Sequence, residues 1–399
     1  MRRIATLASI VMLLGLIVGV APLNVAGAMP ALTSVDPNPV VSAVSARNGD
    51  RFVFWACLNG AGLCEASFNA RDGRWSHGKI KGMGQLDSPP SASADVDPSH
   101  EADQFGDPFL YVFWKGPHEQ LEEAYWTGRW HGPVNLGMGP LWSGPSAPST
   151  WYEPNEEASK GEAVAWMRDD RLWYAYSSQP TNKRSWHGPF SRGVGTVLSP
   201  PSTVDGGGGY ESVWWKGSTN GNLYSASLIN TSGVKFGPCD FGMGRIASTP
   251  SASWKRGLPT TETARRTVPA ATLHPSKVTG NCPRPQGSLS YGAFGGYGVC
   301  WAGQVVKNKI KSGLWCMLWT DDGSAINPTV TVKGPVATGH LGLLGSAPSL
   351  ASYPEHIPGP AADTDAFYMG SNANRDLWVA DLATGGHARK LGFGPLTGS

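Results

Sequence analysis

Two short segments of this sequence place a tryptophan next to a histidine at a corner. They are Trp130-His131 and Trp186-His187, and each is followed directly by Gly-Pro. An indole offers a flat apolar face and an imidazole offers hydrogen bonds, a combination that suits the C–H face and the polar edge of a sugar ring. These residue types therefore predict a preformed carbohydrate-binding pocket.

The candidate carbohydrate-binding residues lie near predicted turns or at repeated aromatic positions: Trp126, Trp130, His131, Trp173, Trp186, His187 and Trp319. Glu122 and Lys115 could supply further polar atoms. A plainer interpretation stands beside each candidate, because repeat-phased tryptophans commonly pack between sheets. The histidines could simply bond backbone carbonyl groups, and Lys115 could face solvent. We expect structural packing for another group of tryptophans: Trp55, Trp114, Trp166, Trp215 and Trp301.

Acidic residues raise the alternative of a glycoside hydrolase. Such enzymes need two carboxylates across a sugar-sized gap, but pairs such as Asp169-Asp170 and Asp321-Asp322 lie in turn-like, solvated segments. The nearest match to the Ser-x-Asp-x-Gly-x-x-Trp box of sialidases, residues 71–75, has another spacing and no serine. The sequence also has no Gly-x-Ser-x-Gly elbow and no phosphate-binding loop. We therefore predict no catalytic residues.

Metal and cofactor sites are not predicted either. No two cysteines have the close paired spacing of zinc ligands. Asp95 and Asp97 could approach a calcium ion, but they provide too few ligands for a site.

These residues recur because the chain is built from repeats. In residues 110–146 an aromatic run, a polar turn, a Leu/Trp run, the Trp-His-Gly-Pro corner, a Gly-Met-Gly bend and a Ser-x-Pro-Ser closing motif follow one another. Closing motifs begin at residues 88, 143, 199, 248 and 346, so the intervals are 55, 56, 49 and 98. Periods of about 40 to 50 residues built from short strands and glycine turns predict an all-β propeller.

The number of blades depends on how the long interval is read. Because 98 is twice 49, one closing motif is missing, and an alignment of the flanking repeats puts it near Pro285. We predict a single propeller over residues 29–399 with seven blades closing near residues 88, 143, 199, 248, 285, 346 and 399. Residues 252–284 would then be a degenerate blade. The alternative is six blades with an inserted loop. We expect residues 39–44 to complete the sheet that contains residues 391–399.

At the level of the repeat, the chain resembles the bacterial fucose-binding β-propeller lectins. Their repeat carries a Ser-Pro-Pro close, a Val-Phe-x-x-Gly strand, a Leu-Trp strand and a Trp-x-Gly corner, and the match covers roughly residues 37–399. The resemblance implies seven blades and shallow pockets between them for fucose or O-methylated sugars, without metal. Their second tryptophan pair is matched by Tyr125-Trp126 and Leu318-Trp319, so the resemblance implies two or three such pockets.

Six cysteines in an exported chain predict disulfides, although six cysteines allow 15 pairings. Repeat phase places Cys57 opposite Cys64 across one hairpin, and Cys300 and Cys316 in comparable positions of a later repeat. The two cysteines that remain, Cys239 and Cys282, are then expected to pair.

The N-terminus has the pattern of a secretory signal peptide over residues 1–28. Arg2 and Arg3 precede a nearly continuous apolar run, and small residues at 26–28 suit cleavage. A membrane anchor is the alternative, because the run approaches the roughly 20 residues of a spanning helix. We predict a cleaved signal, a secreted protein and no membrane insertion after cleavage.

Charge argues against a nucleic-acid partner. The full chain has 32 Lys and Arg against 30 Asp and Glu, and the signal removes two arginines, which leaves 30 against 30. Nucleic-acid binding depends on clustered cations, and the sequence has no long basic run. We therefore predict a secreted, non-catalytic, lectin-like propeller whose partners are glycans or glycoconjugates. The alternatives are a propeller-type glycoside hydrolase and a protein-interaction scaffold without a sugar site.

Overall fold

A computed structural model describes residues between 36 and 393, and the residues it describes fall in ranges: 36–39, 41–46, 48–57, 62–96, 108–148, 162–205, 210–217, 221–229, 233–242, 245–256, 295–306, 309–321, 330–338, 344, 346–352, 364–370, 375–382 and 387–393. The predicted signal peptide, residues 1–28, lies outside them. Within these ranges, no helix has the length and apolarity needed to cross a membrane.

The described strands form antiparallel sheets that follow one another along the chain, as in a propeller. Blade 1 contains β2 (Val41–Ser45), β3 (Arg51–Ala56), β4 (Leu63–Asn69) and β5 (Arg74–Ile80). Blade 2 contains β6 (Ser91–Val96), β7 (Pro108–Lys115), β8 (Leu121–Trp126) and β9 (Trp130–Asn135). Blade 3 contains β10 (Glu162–Arg168), β11 (Arg171–Ser177) and β12 (Trp186–Arg192), with a bridge from Ser146 to Ala165 at the position of a first strand.

The second half of the chain repeats this order. Blade 4 contains β13 (Ser202–Asp205), β14 (Tyr210–Lys216), β15 (Leu223–Ile229) and β16 (Gly233–Asp240). Blade 5 contains β17 (Ser251–Arg256), β18 (Gly295–Val306), β19 (Lys309–Asp321) and β20 (Val330–Thr338). Blade 6 contains β22 (Ser349–Ser352), β23 (Thr364–Met369), β24 (Leu377–Asp381) and β25 (His387–Lys390). Outside the blades, β1 (Asp36–Pro39) pairs in parallel with β21 (Ser346–Ala347).

The described residues therefore form six blades, and the prediction of seven is wrong. Strand β17 pairs with β18 in one sheet, from Ser251 opposite Cys300 to Arg256 opposite Gly295. Residues 257–294 separate these two strands and lie outside the described residues. The predicted degenerate blade at 252–284 thus begins inside a regular first strand. Because the long segment interrupts a blade between its first and second strands, its spacing imitated a missing closing motif, and the six-blade alternative is confirmed.

The first serine of each closing motif lies on the segment that connects two blades, here called the connector, and hydrogen-bonds to the second of these blades. The Oγ of Ser88 accepts a hydrogen bond from the Lys115 N–H at 3.0 Å and donates one to the Pro89 carbonyl at 3.0 Å. The same two bonds recur at the other motifs: Ser143, Ser199, Ser248 and Ser346. This pairing explains why the motif keeps a serine at this position.

The last serine of each closing motif, and Ser42 at the equivalent position of β2, link neighbouring blades around the axis. The Oγ of each accepts a hydrogen bond from a backbone N–H on the first strand of the following blade. The donor–acceptor pairs among the described residues are Ala92 to Ser42, Ala147 to Ser91, Thr203 to Ser146, Ala252 to Ser202, Leu350 to Ser251 and Ala43 to Ser349. The last pair returns from blade 6 to blade 1 and closes the ring.

Closure differs from the expectation for the N-terminal strand. Residues 41–45 stay in blade 1 as its innermost strand and do not complete the sheet of blade 6. The Ala43 to Ser349 hydrogen bond, 2.8 Å long, instead joins the two blades. Each blade is therefore continuous in sequence.

Apolar clusters fill the spaces between adjacent blades. The second strand of each blade supplies side chains to both neighbours, because successive residues point to opposite faces of a strand. The tryptophans expected to pack are all buried: Trp55, Trp114, Trp166, Trp215 and Trp301. That expectation is confirmed.

Two predicted disulfides are present, Cys57 with Cys64 and Cys300 with Cys316. Cys300 and Cys316 are direct partners across the β18–β19 ladder. Cys239 is also disulfide-bonded. Its predicted partner, Cys282, lies outside the described residues.

Candidate functional site

The Trp-His-Gly-Pro corner begins the last strand of blades 2 and 3 and contains a β-bulge. Gly132 has φ of +115°, and a Cβ at this position would lie 2.8 Å from the Glu123 carbonyl oxygen. The register between β8 and β9 shifts at the same place, between Glu123 and Tyr125. Glycine is required because it adopts this backbone conformation and leaves room for the neighbouring strand.

The corner sends its two functional side chains to opposite faces of the sheet. Trp130 packs in the cluster between blades 1 and 2, whereas His131 pairs in register with Tyr125, which packs between blades 2 and 3. A single pocket that combines Trp130 with His131 is therefore not formed. The residues group instead by blade interface.

The interface between blades 1 and 2 brings two candidate tryptophans together with a carboxyl group. Trp130 contacts Phe54 edge-on, with ring centroids 5.7 Å apart, and Trp126 contacts Trp130 at 5.7 Å. Glu65 is the register partner of Phe54. Burial raises the pKa of Glu65, and its hydrogen-bonding interaction with the Trp130 side chain opposes part of that rise. Glu65, Trp126 and Trp130 are all half-buried.

The interface between blades 2 and 3 has a similar arrangement, but its tryptophan and its carboxyl have different partners and are more deeply buried. Trp186 is 8% exposed and contacts Phe113 edge-on at 5.6 Å, and Glu123 is the register partner of Phe113. The Trp186 indole N–H, however, donates to the Pro180 carbonyl at 3.1 Å. Glu123 is only 1% exposed, and burial raises its pKa well above the usual value. Among the described residues, its Oε1 has no hydrogen-bond partner.

Glu65 and Glu123 occupy the same place in their blades, on the third strand and facing the following blade. Other residues stand there in the remaining blades: Tyr174, Ser225, Cys316 and Val379. Trp75 makes the matching edge-on contact with Phe367 of blade 6 at 6.0 Å, but the carboxyl position there is Val379. Among the described residues, a carboxyl therefore occupies this third-strand position in blades 1 and 2, and other residue types occupy it in blades 3 to 6.

The two candidate histidines lie against tyrosines. His131 stacks on Tyr125 with ring centroids 4.9 Å apart, and its Nε2 lies 3.0 Å from the Thr127 hydroxyl. His187 is exposed and lies 5.2 Å from Tyr176, on the face toward blade 4. His131 therefore has a side-chain partner rather than the backbone carbonyl considered from the sequence.

The remaining candidates are separated from these groups. Trp173 faces blade 2 beneath the Arg168 guanidinium, 4.8 Å from its ring centre, and donates its indole N–H to the Arg168 carbonyl. The backbone of Trp319 pairs with Tyr297 and Val332, and its side chain lies outside the described residues. Burial raises the pKa of Glu122 as well.

A third interface carries a buried polar pair that the sequence did not suggest. Between blades 3 and 4, the Tyr174 hydroxyl donates to Glu211 Oε1 at 2.6 Å. Burial raises the pKa of Tyr174 well above its usual value, and the nearby Glu211 carboxylate adds to the rise. The Arg192 guanidinium lies 5.2 Å from the Tyr174 ring centre. This closed hydrogen-bonded pair serves interblade packing.

The axis of the propeller holds a cavity of about 470 Å³ lined by the first strands and the closing motifs. Among the described residues that line it, Asp87 is the sole carboxylate. A hydrolase site in the central funnel would need a second carboxylate across from it. The described part of the chain also contains no cluster of three or more His, Cys, Asp or Glu residues suited to a metal ion.

Solved structures with a similar fold include several lectins. The fucose-specific lectin from Aleuria aurantia has a TM-score of 0.59 at 13% identity, over 92% of this chain and 99% of the lectin. The BP39L lectin from Burkholderia pseudomallei has a TM-score of 0.52 at 18% identity, over 90% and 99%. The SapL1 lectin, solved with alpha methyl fucoside, has a TM-score of 0.55 at 14% identity, over 90% and 98%.

The resemblance read from the repeats is confirmed in the fold. At these identities the likeness establishes the β-propeller fold and nothing finer. No protein-family model matches the sequence, and the comparison with curated proteins finds no match.

Sequence reasoning missed Glu65 and Glu123, although a signal for both was present. Each is the third residue of a Leu-x-Glu segment that opens the third strand, Leu63 to Glu65 and Leu121 to Glu123. Strand alternation puts a residue two positions after a buried leucine on the same face. A carboxyl at this place is therefore directed into a blade interface rather than into solvent.

Proposed function

We propose that this protein is a secreted, non-catalytic, carbohydrate-binding β-propeller whose partners are glycans or glycoconjugates. The observation that carries the proposal is the carboxyl of Glu65 bonded to the indole of Trp130. The next interface places similar groups near each other, since Phe113 is the register partner of Glu123 and contacts Trp186. Secretion is supported by the signal-like N-terminus and by the disulfides.

This pair of groups matches the two requirements of sugar recognition. A carboxyl oxygen accepts hydrogen bonds from sugar hydroxyl groups, and such bonds to a charged acceptor are stronger than neutral ones. The indole supplies the flat face for the C–H side of the ring. Since a similar fold was solved with alpha methyl fucoside bound, fucose and related sugars are the first class to test.

The two interfaces differ in how accessible their side chains are to a sugar. Glu65, Trp126 and Trp130 are half-buried, whereas Glu123 is almost fully enclosed. A sugar would therefore reach the interface of blades 1 and 2 with less rearrangement. Two sites on one molecule would add avidity to shallow single-site binding.

A glycan array probed with the purified mature chain, residues 29–399, tests the function. We expect binding to a group of fucosylated or O-methylated glycans above the background of unrelated sugars. A well-folded protein that binds no glycan on the array at high density would contradict the proposal and favour the interaction-scaffold alternative.

The site is tested by Glu65→Gln and Trp126→Ala. We expect each to weaken binding of the best array glycan by about tenfold, or about 1.4 kcal/mol, in calorimetric titration. Glu119→Gln, at an exposed turn of blade 2, is the matched control and should bind normally. If Trp126→Ala instead lowers the melting temperature and leaves affinity unchanged, Trp126 belongs to the core.

A further inference from the structure

One side of the axial cavity, where the closing motifs line it, carries two large apolar side chains. Trp142 is 52% exposed and Leu198 is 47% exposed, and both line the cavity. Each stands directly before the first serine of a closing motif, on consecutive connectors. Large exposed apolar side chains at a cavity are a mark of ligand contact rather than of packing.

The backbone holds these two side chains in place. The Trp142 N–H donates to the Met167 carbonyl at 3.0 Å, and the Leu198 N–H donates to the Lys216 carbonyl at 3.0 Å. Met167, the last residue but one of β10, also lines the cavity. A rigid backbone with projecting side chains is a preorganised contact surface, which lowers the entropy lost on binding.

The connector between blades 1 and 2 supplies polar groups to the adjoining side of the cavity. Asp87 stands at the position equivalent to Trp142, and its N–H donates to the Lys115 carbonyl at 2.8 Å. Gly144 packs directly against the Ser88-Pro89 segment, since a Cβ on Gly144 would lie 3.3 Å from the Pro89 carbonyl oxygen. The two connectors therefore touch, so the apolar wall and the Asp87–Lys115 side adjoin.

We infer that the axial cavity is a second carbohydrate-binding site, in which a neutral sugar ring stacks on Trp142. The half-buried last serines of the closing motifs, with Asp87 and Lys115, line the rest of the cavity, and their hydroxyls can bond sugar hydroxyls. The volume of about 470 Å³ falls within the roughly 300 to 1,000 Å³ of small-ligand sites. Because Asp87 and Lys115 have opposite charges, the site favours a neutral ligand over an ionic one.

This axial site does not share the carboxyl and indole groups of the proposed interblade sites. Its lining includes Trp142, Met167 and Leu198, and it contains neither Glu65 nor Trp130. The two sites can therefore be disabled independently.

Fluorine NMR of the mature chain labelled with fluorotryptophan tests the inference. The Trp142 resonance is assigned from its loss in Trp142→Phe, and the protein is titrated with the methyl glycosides of fucose, glucose, galactose and mannose. We expect at least one glycoside to shift the Trp142 resonance in a saturable manner. In Trp142→Ala, we expect calorimetry to show about a tenfold loss of affinity at this site. No saturable shift with any of the four at millimolar concentration would overturn the inference.

Two comparisons separate the axial site from the interblade sites. Phe190→Ala removes an aromatic ring of similar exposure, 40%, from the outer strand of blade 3, and should leave the Trp142 shift unchanged. Glu65→Gln should also leave it unchanged. If Glu65→Gln abolishes the Trp142 shift, the resonance reports interblade binding, and the axial site is excluded while the proposed function stands. If Glu65→Gln loses interblade binding but keeps the Trp142 shift, the result supports both the axial site and the proposed function.

Discussion

Glu123 shows how one buried residue couples blade packing to pH. Burial raises its pKa well above the usual value, and none of the described groups bonds its Oε1. Because folding raises the pKa of this carboxyl, Glu123 favours the folded state most at a pH low enough to protonate it in both the folded and the unfolded protein. Its contribution is therefore complete below the unfolded pKa and is lost as pH rises through the folded pKa.

Glu123→Gln should remove this dependence, because the amide stays neutral. We expect the variant and the wild type to have similar free energies of unfolding at acidic pH. As pH rises above the pKa of Glu123 in the unfolded chain, the variant should become more stable than the wild type. The gain in the free energy of unfolding should be about 1.4 kcal/mol for each unit by which folding raises that pKa. Denaturant titrations over a pH series measure the difference.

Glu119→Gln makes the same substitution at an exposed turn and is the isosteric control. A difference for Glu123→Gln that stays flat with pH would mean that folding does not shift the pKa of Glu123.

The β-bulge of the last strand explains the Trp-His-Gly-Pro corner at the scale of the element. Gly132, Gly188 and Gly237 all have positive φ and precede cis Gly–Pro bonds, and each lies close to the backbone of the third strand. The tryptophan near the start of the strand packs toward the preceding blade in both cases, at Trp130 before a bulge and at Trp75 in a regular ladder. The bulge therefore accounts for the glycine of the motif rather than for the direction of its indole.

Gly132→Ala should destabilise the protein, because the new Cβ would lie 2.8 Å from the Glu123 carbonyl oxygen at φ of +115°. We expect a loss of about 1 to 3 kcal/mol, the cost of a strained backbone position, in thermal or denaturant unfolding. Gly78→Ala is the control, since Gly78 lies in the corresponding strand of blade 1, where the ladder is regular and a Cβ meets nothing within 4 Å. Equal losses in the two variants would contradict this account of the bulge.

The whole molecule is held together by the ring of serine hydroxyls around the axis. The ring closes through Ser349, which accepts from Ala43 across the largest sequence separation, 306 residues, among the hydrogen bonds of the ring. Since a propeller is a closed set of blades, loss of this link removes a contact between the first and last blades.

Ser349→Ala should lower the free energy of unfolding by about 1 kcal/mol, the net value of one hydrogen bond, or more because the Ala43 N–H is left without its acceptor. Ser191→Ala, at an exposed position of β12, should cost little. Denaturant unfolding of both variants measures the difference. If Ser349→Ala is no less stable than the control, the ring bond does not contribute to closure.

The sequence by itself determined the repeat, the strands and two disulfides. Runs such as residues 52–55 are apolar on both faces, and this lack of polar–apolar alternation indicates a strand that lies between two sheets. Cys57 with Cys64 and Cys300 with Cys316 followed from the same phase, because partners within a hairpin are close in sequence. The candidate tryptophans were also recognised as repeated positions.

Only the tertiary structure decided the number of blades and the grouping of the candidate residues. Spacing alone cannot show whether a long segment interrupts a blade or follows one, and the pairing of Ser251 with Cys300 settles this. Likewise, Trp130 and His131 are adjacent in sequence, but a strand sends them to different interfaces. The partners of Trp130, Phe54 and Glu65, come from another blade, and contacts between blades leave no mark in local sequence.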